Sequence, residues 1–180
     1  MRQRFVTSQW VPYPLEVVFG FFANPNNLPL LTPEPLKMRI DDMKLVQAPA
    51  PAGTAASLLP APAIAAGVGT EMKLSFQPAP FVPLRVSWVA RITEFAWFDH
   101  FCDEQVSGPF AFFRHTHGVQ TKTQQGRAGT EVTDEVEFEV PLGPIGALGG
   151  GVVRRQMEQM FRTRQERLPQ ILAAQARKPS

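Results

Sequence analysis

Apolar and polar residues alternate strictly through the middle of this chain, and near the end the period lengthens. From Thr70 to Phe76, Met72, Leu74 and Phe76 alternate with Glu71, Lys73 and Ser75, the period of a half-buried strand. Leu84 to Ile92 repeats the pattern, with Leu84, Val86, Trp88, Ala90 and Ile92 inward and Arg85, Ser87 and Arg91 outward. Trp97 to Val106 and Phe110 to Thr121 read as further strands. Thr130 to Val140 is the clearest: Val132, Val136, Phe138 and Val140 share one face, and Glu131, Glu135, Glu137 and Glu139 share the other. Asp134 alone breaks it, on the apolar face. From Gly149 to about Ala176 the spacing changes to threes and fours, through Val153, Met157, Met160, Phe161, Leu168 and Leu172, which predicts one long amphipathic helix.

The N-terminal part supplies the remaining elements. Arg4 to Val11 reads as a strand stopped by Pro12-Tyr13-Pro14. A helix follows over Leu15 to Phe22, with Leu15, Val18 and Phe22 on one face and Val17 and Phe21 alongside. Pro14 fits its first turn, where a missing N–H costs nothing. Asn24 can cap a second short helix, around residues 26–31, with Pro25 at its first position. Lys37 to Val46 is a further strand. Residues 47–68 are Ala/Pro-rich, nearly uncharged and aperiodic, which predicts a long flexible connection or lid, from which Leu58, Leu59 and Ile64 can dock over a pocket. Gln124 to Gly129 reads as a turn, and Pro141 to Gly150 as a glycine-rich connection. Strands in series followed by a helix argue an α+β fold with the helix on one face of the sheet. A curved sheet gripping that helix leaves room for a ligand cavity.

Composition narrows the classes. With 44% hydrophobic and 19% charged residues the chain is globular, and no repeat or boundary divides 1–180, so one domain is expected. A net charge of +2 gives no case for DNA. Cys102 is the single cysteine, so no internal disulfide forms. Together with the lack of a secretion signal or a membrane-length apolar run, this sets the expectation of a cytoplasmic protein.

Candidate chemistry lies on the middle strands. His115 and His117 are two apart and share a strand face. Such a pair can bind zinc with a carboxylate as third ligand, Asp134 being the candidate, or can serve in acid/base catalysis. For the histidine and Asp134 faces to coincide, the turn at 122–129 must contain a bulge. The favoured reading is hydrogen bonding within the sheet, so no metal and no cofactor is expected. Asp103 and Asp134 need partners if buried, from Arg91, Arg114, His115 or His117. Either Asp103 with Gln105, or Cys102 with Glu104, faces inward. Trp88, Phe101, Phe113, His115, His117, Met157, Met160 and Phe161 are the expected ligand-binding wall, since pockets of this kind are apolar with a few polar groups. Arg154, Arg155, Arg162, Arg164 and Arg167 decorate the opposite helix face, a solvated surface that can also meet RNA or anionic lipid.

Four stretches carry a family resemblance: Pro14 to Leu31; Leu31-Thr32-Pro33-Glu34-Pro35-Leu36; Phe101-Cys102-Asp103-Glu104-Gln105 with Gly108-Pro109-Phe110 and His115-Thr116-His117; and Gly129 to Val136 with Pro141-Leu142-Gly143. In these the chain resembles the START/Bet v 1-like helix-grip superfamily (SRPBCC, polyketide cyclase/dehydrase-like), and within it a bacterial subgroup, some of whose members are fused to an epimerase-like domain. Phe113 stands where that subgroup usually has Trp, and residues 47–68 form a longer insertion. The resemblance implies a seven-stranded antiparallel sheet wrapped around the C-terminal helix, with two short helices after the first strand and an internal apolar cavity. It implies binding or carrying of a small hydrophobic molecule such as a lipid, quinone or polyketide. The alternatives are a cyclase or dehydratase using His115, His117, Asp134 and Asp103 as acid/base groups, and an RNA- or membrane-associated interaction protein.

Overall fold

The computed structural model describes residues 2–51, 64–77, 83–141 and 143–177, with backbone alone over 143–150. Strand β1 is Gln3–Val11, helix α1 Leu15–Ala23 and helix α2 Leu28–Leu31, with single 3-10 turns at Pro25–Asn27 and Glu34–Leu36. Then follow β2 Arg39–Lys44, β3 Glu71–Phe76, β4 Val86–Ala96, β5 His100–Ser107, β6 Phe112–Gln124, β7 Arg127–Glu139 and helix α3 Gly143–Ala176. The seven strands form one antiparallel sheet in the order β1-β7-β6-β5-β4-β3-β2. The expected α+β helix-grip architecture is therefore the one observed.

Local chemistry explains several joints. Asn24 caps the turn after α1, its side chain accepting from the Asn26 N–H at 3.1 Å. The β6–β7 connection needs only two residues, because Gln125 (φ 51°) and Gly126 (φ 76°) both enter the left-handed region, as the tightest hairpin turns require. The expected six-residue turn with a bulge is thus replaced by an unbroken register from Gln124↔Arg127 to His117↔Asp134 and His115↔Val136. His117 and Asp134 face each other directly, and no bulge is needed to bring them to one face.

Three other expectations are corrected. Leu84 is 72% exposed, because β4 starts only at Val86 and runs on to Ala96. The strand expected from Trp97 starts at His100, and Phe98 (φ 62°) turns the chain before it. The glycine-rich stretch read as a connection is helical from Gly143 onward, despite the poor helix propensity of glycine.

The Ala/Pro-rich segment is anchored at its base. Gln47 bridges Ala66. The Ala48 N–H donates to Ala65 O at 2.9 Å, the Gly67 N–H to Val46 O at 2.8 Å, and the Ala66 N–H to Ala23 O at 2.9 Å, joining the segment to the end of α1. A Cβ at Gly67 would lie 2.7 Å from the Ala48 Cα, so this clasp requires glycine. Ala48 and Ala65 to Gly67 are accordingly part of the packed structure. Leu58 and Leu59 lie outside the described residues, and Ile64 is 38% exposed.

Two apolar clusters fill the grip. One gathers around the fully buried Phe19 of α1, whose ring meets Phe95, Trp97, Phe98 and Phe101. The other gathers around Phe161 of α3, with Phe5, Phe113, Val136, Phe138 and Met157. Within α1, Phe19 is buried and Val17 is 39% exposed, so the buried face is rotated from the one expected. Pro169 lies inside α3. It has no N–H to offer the Gln165 carbonyl four residues back, and the Gln9 side chain of β1 donates there instead, at 2.6 Å. The Gln165 side chain returns the contact to Thr7 Oγ1 at 2.9 Å.

Candidate functional site

β5, β6 and β7 each present inward-facing residues at the same level of the sheet: Asp103 from β5, His115 and His117 from β6, Asp134 from β7. The register places His115 opposite Asp103 and His117 opposite Asp134. From above, α3 adds a fifth group. Its buried stripe runs Met157, Phe161, Arg164, Leu168, Leu172, and Arg164 is only 8% exposed. The expectation that Arg164 belongs to the solvent face is therefore wrong. The helical period carries it inward, to the place where an apolar residue is missing between Phe161 and Leu168.

The five polar side chains form one network. His115 Nε2 lies 3.0 Å from Asp134 Oδ1, and His117 Nδ1 lies 3.2 Å from the same oxygen. On the other side, His117 Nε2 is 3.3 Å from Asp103 Oδ2 and His115 Nδ1 is 3.8 Å from it. Arg164 Nη2 donates to Asp134 Oδ1 at 3.1 Å and reaches His117 Nδ1 at 3.1 Å. The His117 ring is held by Phe101, stacked at 4.3 Å, and by His115 at 3.7 Å. The Arg164 guanidinium lies over the Phe22 ring at 4.6 Å, a cation–π contact. Arg91 and Arg114, expected partners of the aspartates, pair instead with Glu71 and with Glu94 and Glu104.

Burial and charge set the protonation states. Burial, then the neighbouring His117, lowers His115 to about 4, so its imidazole is neutral at pH 7. Burial alone would raise both carboxyls. For Asp103 the His117 hydrogen bond and the electrostatic pull of the two rings and Arg164 outweigh burial and hold it below its ordinary value. For Asp134 the Arg164 charge and the two histidine hydrogen bonds do the same, more strongly. Both aspartates are anionic. Burial raises the Cys102 thiol, which leaves it unreactive.

An internal cavity of about 220 Å³ opens onto this network. Asp103, His115, His117 and Arg164 form its polar part on the side of the sheet and α3, Asn24, Asn27 and Thr32 line it from the N-terminal helices, and Asp134 lies behind the histidines. The apolar part comes from Phe22, Leu28 and Leu31 of the N-terminal helices and from Met72, Leu74 and Ile92 of β3 and β4. Of the expected wall, Trp88, Phe101, Phe113, His115, His117 and Met160 line the cavity. Met157 and Phe161 sit in the core beside Phe5 and Phe113. Asp103 faces the cavity, while Gln105 is tied to the Phe110 backbone by two hydrogen bonds. Trp88 Nε1 is buried with no hydrogen-bond partner among the described residues, an unmet donor in a cavity wall.

Sequence reasoning missed Arg164 and the α1–α2 wall. For Arg164 the signal was present in the gap in the apolar stripe. Of the five arginines read as a basic surface, Arg167 is also withdrawn in part, donating to Thr32 O at 2.8 Å.

The molecule is a helix-grip protein with a buried ionic network at one side of its cavity. Similar solved structures are TTHA0849 from Thermus thermophilus (16% identity, 98% of this chain and 100% of that one, TM-score 0.61), protein CV1439 from Chromobacterium violaceum (14%, 94% and 96%, 0.57) and Ara h 8.0201 (13%, 92% and 97%, 0.55). At these identities the likeness is one of fold. Comparison with curated proteins by sequence gives no match. A family model described as polyketide cyclase / dehydrase and lipid transport matches residues 11–163, and the chain belongs to that family. Membership supports hydrophobic-ligand binding in general. Among the described residues no helix is long and apolar enough to cross a membrane.

Proposed function

We propose that the chain is a single ligand-binding domain that holds a compact, mainly apolar molecule in the cavity between the sheet, α1–α2 and α3. The observation that carries this is the cavity itself, walled mostly by aromatic and aliphatic side chains with Asp103, His117 and Arg164 grouped at one side. The volume of about 220 Å³ lies below the roughly 300–1,000 Å³ of drug-sized pockets, which favours a ligand of one or two rings over a long acyl chain. The polar part selects for a hydroxyl or carbonyl within reach of Asp103, His117 and Arg164. A cytoplasmic location belongs to this reading.

Native mass spectrometry of the freshly purified protein tests it, together with titration of an apolar fluorescent naphthalene probe followed by Trp emission. The expected result is a one-to-one complex, with binding weakened by Trp88→Phe. Exclusion of every lipophilic probe sinks the reading. A second reading, an acid/base enzyme of cyclase or dehydratase type, is favoured by the convergence of Asp103, His115 and His117 on the cavity. Under it, His115→Gln abolishes turnover of a bound polyketide-like substrate without weakening its binding.

A further inference from the structure

The hydrogen bonds inside the ionic network close on themselves except at one atom. Arg164 donates to Asp134 and to the Nδ1 of His117, His117 Nε2 bonds Asp103 at 3.3 Å, and His115 Nε2 bonds Asp134 at 3.0 Å. A neutral imidazole carries one N–H, so with that proton on the Nε2 of His115 its Nδ1 presents a lone pair. It stands 3.8 Å from Asp103 Oδ2, too far for a hydrogen bond.

Spacing on that side suits a cation. Asp103, His115 and His117 each offer one ligating atom, all within 4.8 Å of one another. The two separations from Asp103 Oδ2, 3.3 and 3.8 Å, bracket the roughly 3.4 Å edge of a tetrahedron built on 2.0–2.1 Å metal–nitrogen bonds. The far side completes the arrangement. His115 Nε2 faces Asp134 Oδ1, and a carboxylate receiving the other N–H of a ligating histidine fixes the tautomer of that ring. Arg164 in turn holds Asp134. We infer that Asp103, His115 and His117 form a two-histidine, one-carboxylate site for a divalent transition ion such as Zn²⁺ or Fe²⁺, oriented by Asp134 and Arg164. Open coordination positions face the cavity, which all three ligands line. Imidazole and carboxylate donors with open positions are the set such ions take. This departs from the sequence-based expectation of no metal and exchanges Asp134 for Asp103 as the carboxylate ligand.

The site is tested with metal alone, so the outcome is separate from whether the cavity takes a lipophilic molecule. Chelator-treated protein is titrated with Zn²⁺ by calorimetry and with Co²⁺ by visible absorption, while the three histidine rings are followed by ¹⁵N NMR. One equivalent binds with micromolar affinity or better. The rings of His115 and His117 shift together, His115 keeping its proton on the nitrogen facing Asp134 and His117 losing the Nε2 proton that bonds Asp103, and His100 stays unmoved. Asp103→Asn weakens binding roughly 100-fold or more, and Asp134→Asn about 10–100-fold. No binding, a response confined to His100, or unchanged affinity in a folded Asp103→Asn variant overturns the inference. So does a metal-free spectrum in which an imidazolium fills the gap and Zn²⁺ leaves it unaltered. Should Asp103→Asn fail to fold, the wild-type ring spectra decide alone.

Discussion

The inner face of the sheet is covered in two contrasting ways. Under α1, Phe19 is surrounded by four aromatic rings within an apolar cluster. Under the middle of α3, Arg164 descends onto two aspartates and two histidines. Both regions are buried, but burial works in opposite directions in them. Removing aromatic surface from water stabilises the first by itself. Removing five ionisable side chains from water costs free energy that only mutual pairing offsets. The first region needs size and shape, and the second needs each specific partner. A fold can be held by the first alone, so the second is where the proposed ligand and metal binding can be tested.

That contrast can be broken by substitution. The largest effect is expected from Arg164→Ala, which leaves Asp134 buried without its cation and costs about 3–5 kcal/mol, measured by denaturant unfolding. Adding Asp134→Asn recovers more than half of that loss. Without such recovery, Arg164 serves only as packing and the two regions do not differ. Phe19→Ala costs a similar amount, about 3–5 kcal/mol, and no second polar substitution restores it. A smaller effect follows at the α3 clasp: Gln9→Ala strips the Gln165 carbonyl of its donor and costs about 1 kcal/mol. The smallest is on the outer face of the sheet. Arg114 donates to Glu94 and Glu104 there, in water, where ion pairs contribute little. Arg114→Gln therefore gives a denaturation midpoint close to wild type. Its sign with pH is still defined: the hydrogen bond and charge of Arg114 hold Glu94 below its ordinary 4.5. The stabilisation is present above that value and lost as pH falls through the lower folded value, so the two midpoints converge in acid.

Much of the fold was legible because alternation and helical period are written residue by residue. β7 shows it best: Val132, Val136 and Phe138 against Glu131, Glu135 and Glu137, with Asp134 visible as the one exception. That exception, and the His115–His117 pair, mark polar positions of the network in the sequence itself. Arg164 was not legible by charge, because a long basic side chain on an amphipathic helix reads as solvated. Its position in the stripe was the better guide. The α1 face was misjudged because nearly all of Leu15 to Phe22 is apolar, so the pattern points nowhere in particular. The 124–129 turn was overdrawn because glycines stand at both 126 and 129, while only Gln125 and Gly126 turn the chain. Helix from Gly143 was hidden by the glycines themselves.

Arg164 arrives late. Asp103, His115, His117 and Asp134 all lie on strands that the ribosome delivers before α3, and β6 and β7 pair through a two-residue turn, a contact that forms quickly. Until α3 emerges, those strands hold two aspartates facing each other's histidines without the guanidinium. β1, made first, finds β7 across more than a hundred residues, and its Gln9 then waits for Gln165 of the same last helix. The order of synthesis thus makes α3 both the final piece of the core and the counter-charge for the site, so a nascent chain can be largely sheet while its ionic network is still open to water.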